Sequence, residues 1–232
     1  MASSTRADGS WMISAGVPTD MKDDDVRNTV KVFDESGGWK DFFPLPVLIA
    51  DHCQVTVGDN VYIIGGVQAN LDYLDNSYES DEVDDIISST VYVSRNKQDW
   101  TELGFQLRTK IRTQHACAVL NGRIYVIGGK DIRGNGEKLS SVEIFDPAHP
   151  SQWTYGPELP MPSSKGQAVV HEGVIYALAP EDGRGITTTR VFSLEEGAKE
   201  WKTVTNLTLE RSDKRRVFPA PVVKSSVLHC NN

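Results

Sequence analysis

The chain has 232 residues, a net charge of −8 and 39% hydrophobic content, a globular composition with room for one or two domains. The acidic balance excludes a protein that grips a nucleic-acid backbone, which needs a basic face, and no run of about 18 apolar residues is present to span a membrane as a helix. Residues 1–20 lack the basic start and apolar core of a secretory signal, and the three cysteines (Cys53, Cys117 and Cys230) are sparse and without CxxC spacing. These features lead us to expect free thiols, no zinc site and a cytoplasmic protein.

In chain order, Trp11-Met12-Ile13-Ser14-Ala15-Gly16 reads as a strand ending in small residues, followed by an aromatic pair, Phe33 and Trp39. The same order then returns more clearly. Gly58-Asp59-Asn60 is a turn, Val61-Tyr62-Ile63-Ile64 a strand rich in β-branched residues, Gly65-Gly66 its end, and Tyr92 and Trp100 the aromatic pair. The third copy is the cleanest. His115 to Leu120 is apolar, and Asn121-Gly122 is a tight-turn signal because both residues tolerate positive φ. Ile124-Tyr125-Val126-Ile127 is the next strand and Gly128-Gly129 closes it; residues 141–145 alternate as a third strand, ended by Asp146-Pro147, and Trp153-Thr154-Tyr155 forms a short fourth. A worn copy follows: Glu172-Gly173, then Val174 to Ala179, then Phe192 and Trp201. Asn206-Leu207-Thr208 matches a glycosylation sequon, read here as a chance match without an export signal.

A repeat of roughly 50 residues with strand signals throughout predicts a propeller-type array of four-stranded antiparallel meanders. Tyr125 and Trp153 are then expected to pack between blades. The Gly-Gly pair, the tyrosine before it, and the later aromatic with its tryptophan resemble the kelch repeat, as do Asp34 and Asp146 after third strands and His52 and His115 at the start of first strands. The resemblance implies an all-β, kelch-type β-propeller of about four blades acting as a protein-interaction module. The chain departs from the pattern at Ser14-Ala15-Gly16 and Ala179-Pro180, where the Gly-Gly pair belongs, and at Ser94 and Ser193, which replace the aspartate.

The whole chain, 1–232, reads as one propeller domain with units over about 1–51, 52–114, 115–165 and 166–216, and a terminal strand segment at 217–232. In the tail, Val222 to Leu228 aligns residue for residue with Val169 to Ile175, the hairpin that opens the fourth unit. Two readings follow. In the favoured one, residues 218–223 supply a first strand beside Trp11 to Ala15 and close a small ring; in the other, an open edge remains through which the chain self-associates.

The 2–3 and 4–1 loops of such a meander leave on one face, and in the family that face holds partner proteins. Here residues 68–88 form an acidic insertion carrying Asp81, Glu82, Asp84 and Asp85, together with Asp72, Asp75 and Glu79. It reads either as a solvated loop or as a docking strip for a basic peptide segment. Basic residues in the 4–1 loops, Arg108, Lys110 and Arg112 and then Lys214, Arg215 and Arg216, are candidates for gripping an acidic segment, because a guanidinium meets a carboxylate at two points. Calcium binding is disfavoured because the insertion lacks the central glycine and twelfth-position glutamate of an EF-hand loop. The alternative class is a propeller enzyme, an oxidase or hydrolase with its site in the central channel. No GxSxG, HExxH or P-loop is present, so neither catalytic nor metal-binding residues are assigned, no cofactor is expected, and His52 and His115 are read as structural hydrogen-bonding groups.

Overall fold

The computed structural model describes residues 2–14, 28–69, 86–87, 89–96, 98–104, 107, 112–131, 135–150, 153–182, 186–210, 221–224 and 227–230. Their secondary structure is all β. Four sheets, each of four strands in sequential antiparallel order, carry the repeat. The chain divides into two compact units, residues 1–113 with 131–135, and residues 114–130 with 136–232.

In the first unit, one sheet is Ala2–Thr5, Trp11–Ser14, Val30–Asp34 and Gly38–Phe42, and the next is Cys53–Val57, Asn60–Ile64, Val91–Ser94 and Trp100–Leu103. Met12, Val30 and Val32 alternate inward and pack with Val61, Ile63, Tyr92 and Trp100 in a shared core. Each fully buried Val, Ile or Leu there contributes about 1.5–3 kcal/mol, against the entropy of ordering the strands. Polar bonds fix how the two sheets meet. The Gln54 amide donates to Ser4 Oγ at 2.8 Å and to the Met12 carbonyl at 3.1 Å. The Trp100 indole donates to the Phe43 carbonyl at 2.9 Å. Ser14 Oγ and His52 Nε2 lie 2.7 Å apart with both side chains buried, the structural role expected of His52.

The first strand of the opening sheet corrects the expected ring closure. Ala2–Thr5 pairs along Trp11–Ser14, Ala2 opposite Ser14 and Thr5 opposite Trp11, so the place reserved for residues 218–223 is already filled. The tail pairs with itself instead, Pro221–Lys224 against Val227–Cys230. Its register, with Lys224 opposite Val227 and Val223 opposite Leu228, reproduces that of His171 with Val174 and Val170 with Ile175, as the internal alignment predicts.

In the second unit, one sheet is Ala116–Leu120, Arg123–Ile127, Val142–Phe145 and Thr154–Tyr155. The other is Gln167–His171, Val174–Asp182, Ile186–Glu195 and Lys202–Glu210. The first hairpin of each turns through two residues of positive φ, Asn121 and Gly122 (48° and 76°) and Glu172 and Gly173 (49° and 75°). Tyr125 is buried with Ile175, Phe192, Leu194 and Trp201, the inter-blade packing expected of it. Trp153 is buried and stacks on Phe145 at 5.0 Å. The Trp201 indole donates to the Pro157 carbonyl at 2.9 Å, repeating the Trp100 arrangement. The fourth sheet departs from the others. With Ala179-Pro180 in place of the glycine pair, the strand runs on to Asp182 and its neighbours lengthen with it. Pro180 fits because the first strand has run out at Leu178, opposite Gln167; beyond that point the missing N–H faces no ladder.

The glycine pairs explain where strands stop elsewhere. Gly65 donates to the Thr90 carbonyl at 3.1 Å and Gly66 to the Arg112 carbonyl at 3.0 Å; Gly128 donates to Ser141 at 3.1 Å and Gly129 to Ser163 at 2.7 Å. All four have positive φ, and a Cβ on Gly66 would lie 2.5 Å from the Ala50 carbonyl oxygen, on Gly128 2.6 Å from that of Ser163. Gly66→Ala is expected to lower stability by about 3 kcal/mol in urea unfolding, combining backbone strain with a steric clash against main chain. Gly58→Asn, in a turn with open space around it, should cost less than about 1 kcal/mol.

Burial lowers the His52 pKa from 6.5 to about 3, so the ring stays neutral when folded. The unfolded chain takes up the proton near pH 6.5, so this contribution to stability is full above that pH and is lost as pH falls from about 6.5 towards 3. At pH 5 the linkage amounts to about 2 kcal/mol. His52→Gln should therefore be less stable at pH 8, having lost the fit to Ser14, yet show a shallower fall in urea midpoint between pH 6.5 and 4.5 than the parent.

Candidate partner-binding loops

A small three-stranded ladder organises the connections around the second sheet. Val67–Ala69, which leaves the second strand, lies between Leu48–Ala50, which enters the sheet, and Ile86–Ile87, which returns towards the third strand. Ala50 is opposite Val67, and Val67 opposite Ile87. Short β-branched runs such as Ile86-Ile87 favour this extended pairing. Gln68 Nε2 donates to the Tyr92 hydroxyl at 3.2 Å, tying the ladder to the sheet; burial pushes the Tyr92 pKa up. Asn28 and Leu45 fix the approach, the Leu45 N–H donating to the Asn28 carbonyl at 2.7 Å and Asn28 Nδ2 to the Leu45 carbonyl at 3.2 Å.

Asp81, Glu82, Asp84 and Asp85 lie outside the described residues, between the paired ends of this ladder. Arg108, Lys110, Lys214, Arg215 and Arg216 also lie outside them. Arg112 is the one member of the sequence-derived set that is described, and its position differs from the expectation of a loop arginine held out to solvent. It opens the short strand Arg112–Thr113 and is 0% exposed, while its carbonyl accepts the Gly66 N–H. A guanidinium so enclosed is not available to clamp a peptide. Neither Cys53 nor Cys117 carries the free thiol expected from the sparse cysteine count; each is disulfide-bonded.

Other polar groups that stand out have structural explanations. Asp34 accepts bonds from the Gly37 N–H and Ser36 Oγ, each at 2.6 Å, and from Lys40 Nζ at 2.8 Å. The Lys40 bond, then that from Ser36, hold its carboxyl at a pKa of about 2. Asp146 accepts the Ala148 N–H at 3.0 Å, which lowers its pKa as well. These aspartates close the turn between third and fourth strands, and Ser94 does the same with a bond to the Gln98 carbonyl. Among the described residues the Ser14–His52 pair has no third member, His52 Nδ1 finding no hydrogen-bond partner there, and Ser14 is 0% exposed, so it cannot meet a substrate. Sequence reasoning paired Phe33 with Trp39 but missed that Trp11 extends them into an aromatic row on the first sheet, the three following one another at 6.4 and 5.3 Å. Trp39 is 50% exposed, whereas the equivalent Trp100 and Trp201 are 8% and 6%.

The kelch motif model matches residues 111–160. Kelch repeat and BTB domain-containing protein 12 of Homo sapiens is 26% identical over 183 residues, covering 73% of this chain and 28% of that protein. Its Danio rerio counterpart is 29% identical over 194 residues, covering 77% and 30%. Alpha-scruin of Limulus polyphemus is 35% identical over 79 residues, 34% of this chain and 8% of that one. The chain thus spans less than a third of the length of these relatives. The solved structure of YjhT superimposes with a TM-score of 0.68 at 16% identity, covering 90% of this chain and 65% of that one, a likeness of fold. With the repeated four-stranded sheets, the glycine pairs and these relatives in agreement, the chain belongs to the kelch-repeat β-propeller family.

Proposed function

We propose that this chain is a protein-interaction module, a scaffold or adaptor whose 2–3 and 4–1 connections meet a partner, and that its acidic insertion receives a basic segment of that partner. One observation carries the reading. Both ends of the insertion are hydrogen-bonded into a ladder with the 4–1 connection, Leu48–Ala50, so the acidic run leaves and returns at neighbouring strands anchored to a packed blade. A charged segment held this way loses less conformational freedom on binding than one tethered at a single end. The sequence of the insertion contains no Lys or Arg to neutralise Asp81, Glu82, Asp84 and Asp85 internally, which favours a cationic ligand. The burial of Arg112 removes one of the cations that an acidic ligand would use. The family relationship supports the general role without specifying the partner.

The test uses a lysine- and arginine-rich peptide as probe and the full chain. Replacing Asp81, Glu82, Asp84 and Asp85 by their amides should weaken binding at least tenfold in calorimetry at low salt. Raising salt from 50 to 300 mM should weaken binding to the parent chain and have little effect on the variant. Equal affinity in parent and variant would exclude the insertion as the docking strip.

A further inference from the structure

The outermost strand of the fourth sheet, Lys202–Glu210, has nine residues, while the corresponding strands of the other sheets have five, four and two. Its inner side is laddered to Ile186–Glu195, and no described strand pairs with its outer side. Residues 202–208 are all exposed, including Val204 at 50% and Leu207 at 38%. A long edge strand with free backbone donors and acceptors is a template for another strand, and short edges are a common defence against such pairing. The composition adds to this. Between Lys202 and Glu210 lie only uncharged residues, Thr-Val-Thr-Asn-Leu-Thr-Leu, rich in strand formers and free of proline and glycine. A bulge does protect the base of the strand: Val191 faces Thr205 and Phe192 faces Thr203, leaving Val204 without a partner. Beyond it the ladder is regular from Thr205 to Glu210.

We propose that this edge is a self-association surface, and that its occupant is the same strand of a second copy of the chain, paired antiparallel about Asn206. The charges at the strand ends select this partner and this direction. Antiparallel pairing centred on Asn206 brings the Lys202 end of one copy to the Glu210 end of the other, opposite charges at both ends of the regular stretch, whereas parallel in-register pairing sets lysine against lysine and glutamate against glutamate. In the antiparallel register Thr205 faces the other copy's Leu207, and the two Asn206 residues face each other on the two-fold axis, as an isologous interface requires. The exposed ion pair of Lys202 with Glu195, at 2.8 Å, leaves the Lys202 side chain 66% exposed and within reach of a second copy. This surface belongs to a different sheet from the acidic insertion, so the inference stands apart from the proposed binding of a basic segment.

Light scattering after size exclusion, over a concentration series of the full chain, reads the association directly. The parent chain is expected to shift from monomer to dimer mass as concentration rises. Asn206→Lys, which places like charges on the axis at an exposed position, should raise the dissociation constant at least tenfold, and so should Asn206→Asp. Mixing the two variants should restore a dimer, which unfolding could not do. A parent chain that stays monomeric throughout, a dimer indifferent to both variants, or variants that fail to recover when mixed would each overturn the proposal.

Discussion

A main-chain approach too close for any side chain holds these blades to the segments around them. At Gly66 the carbonyl of Ala50 occupies the space a Cβ would need, and at Gly128 the carbonyl of Ser163 does so. Freed from side chains and turned to positive φ, the paired glycines aim successive N–H groups in two directions. One reaches the entry to the third strand of the same sheet, and the other the chain that has just left the fourth. A strand that ends this way satisfies its last donors internally and turns its neighbour sharply out of the sheet. The indoles of Trp100 and Trp201 add a reciprocal bond, each reaching back to a carbonyl of the preceding sheet's exit, Phe43 or Pro157. Sheets that cannot bury both faces alone are thereby fixed to neighbours that can cover them.

Where the glycine pair is missing, its role shows by contrast. Ala179-Pro180 offers no positive-φ exit, so the second strand continues straight and the third and fourth strands extend alongside it. Proline usually breaks a strand, but here it falls just past the last residue paired on that side, where no donor is missed. The substitution that looks like decay in the repeat pattern therefore lengthens a sheet and leaves one edge without a described neighbour.

The features legible in the sequence were those encoded locally. Asn121-Gly122 specified its turn through the conformations those two residues tolerate, and alternation in residues 141–145 marked a strand by its period of two. The tail hairpin was readable because it copied an earlier one. What sequence reasoning missed depends on neighbours distant in the chain. Ala2–Thr5 is a short run of small polar residues whose extended state comes from the Trp11–Ser14 edge it pairs with, not from any pattern of its own. Arg112 carries the composition of a surface loop, and only tertiary structure encloses it. The candidate site was legible as charge, since Asp81, Glu82, Asp84 and Asp85 stand out in any reading. The ladder that anchors the insertion was not, because runs as short as Ile86-Ile87 and Val67–Ala69 have too few residues to show periodicity.

This division between local and distant encoding bears on how such a scaffold varies. Blade cores are constrained twice, by alternation within a strand and by bonds to the neighbouring sheet, so substitutions at Met12, Ile63 or Phe192 meet packed atoms on every side. The connections are constrained only where a short ladder or a glycine pair ties them to a blade, and the strand extension in the fourth sheet carries only the first constraint. Both can therefore change length and charge at little cost to the blades, and it is there that this chain is least like a regular repeat: an uninterrupted acidic run with anchored ends on one sheet, and a nine-residue uncharged-centred edge on another. In a repeat protein the irregular elements are the ones the fold does not require, so a role for them has to come from what they meet.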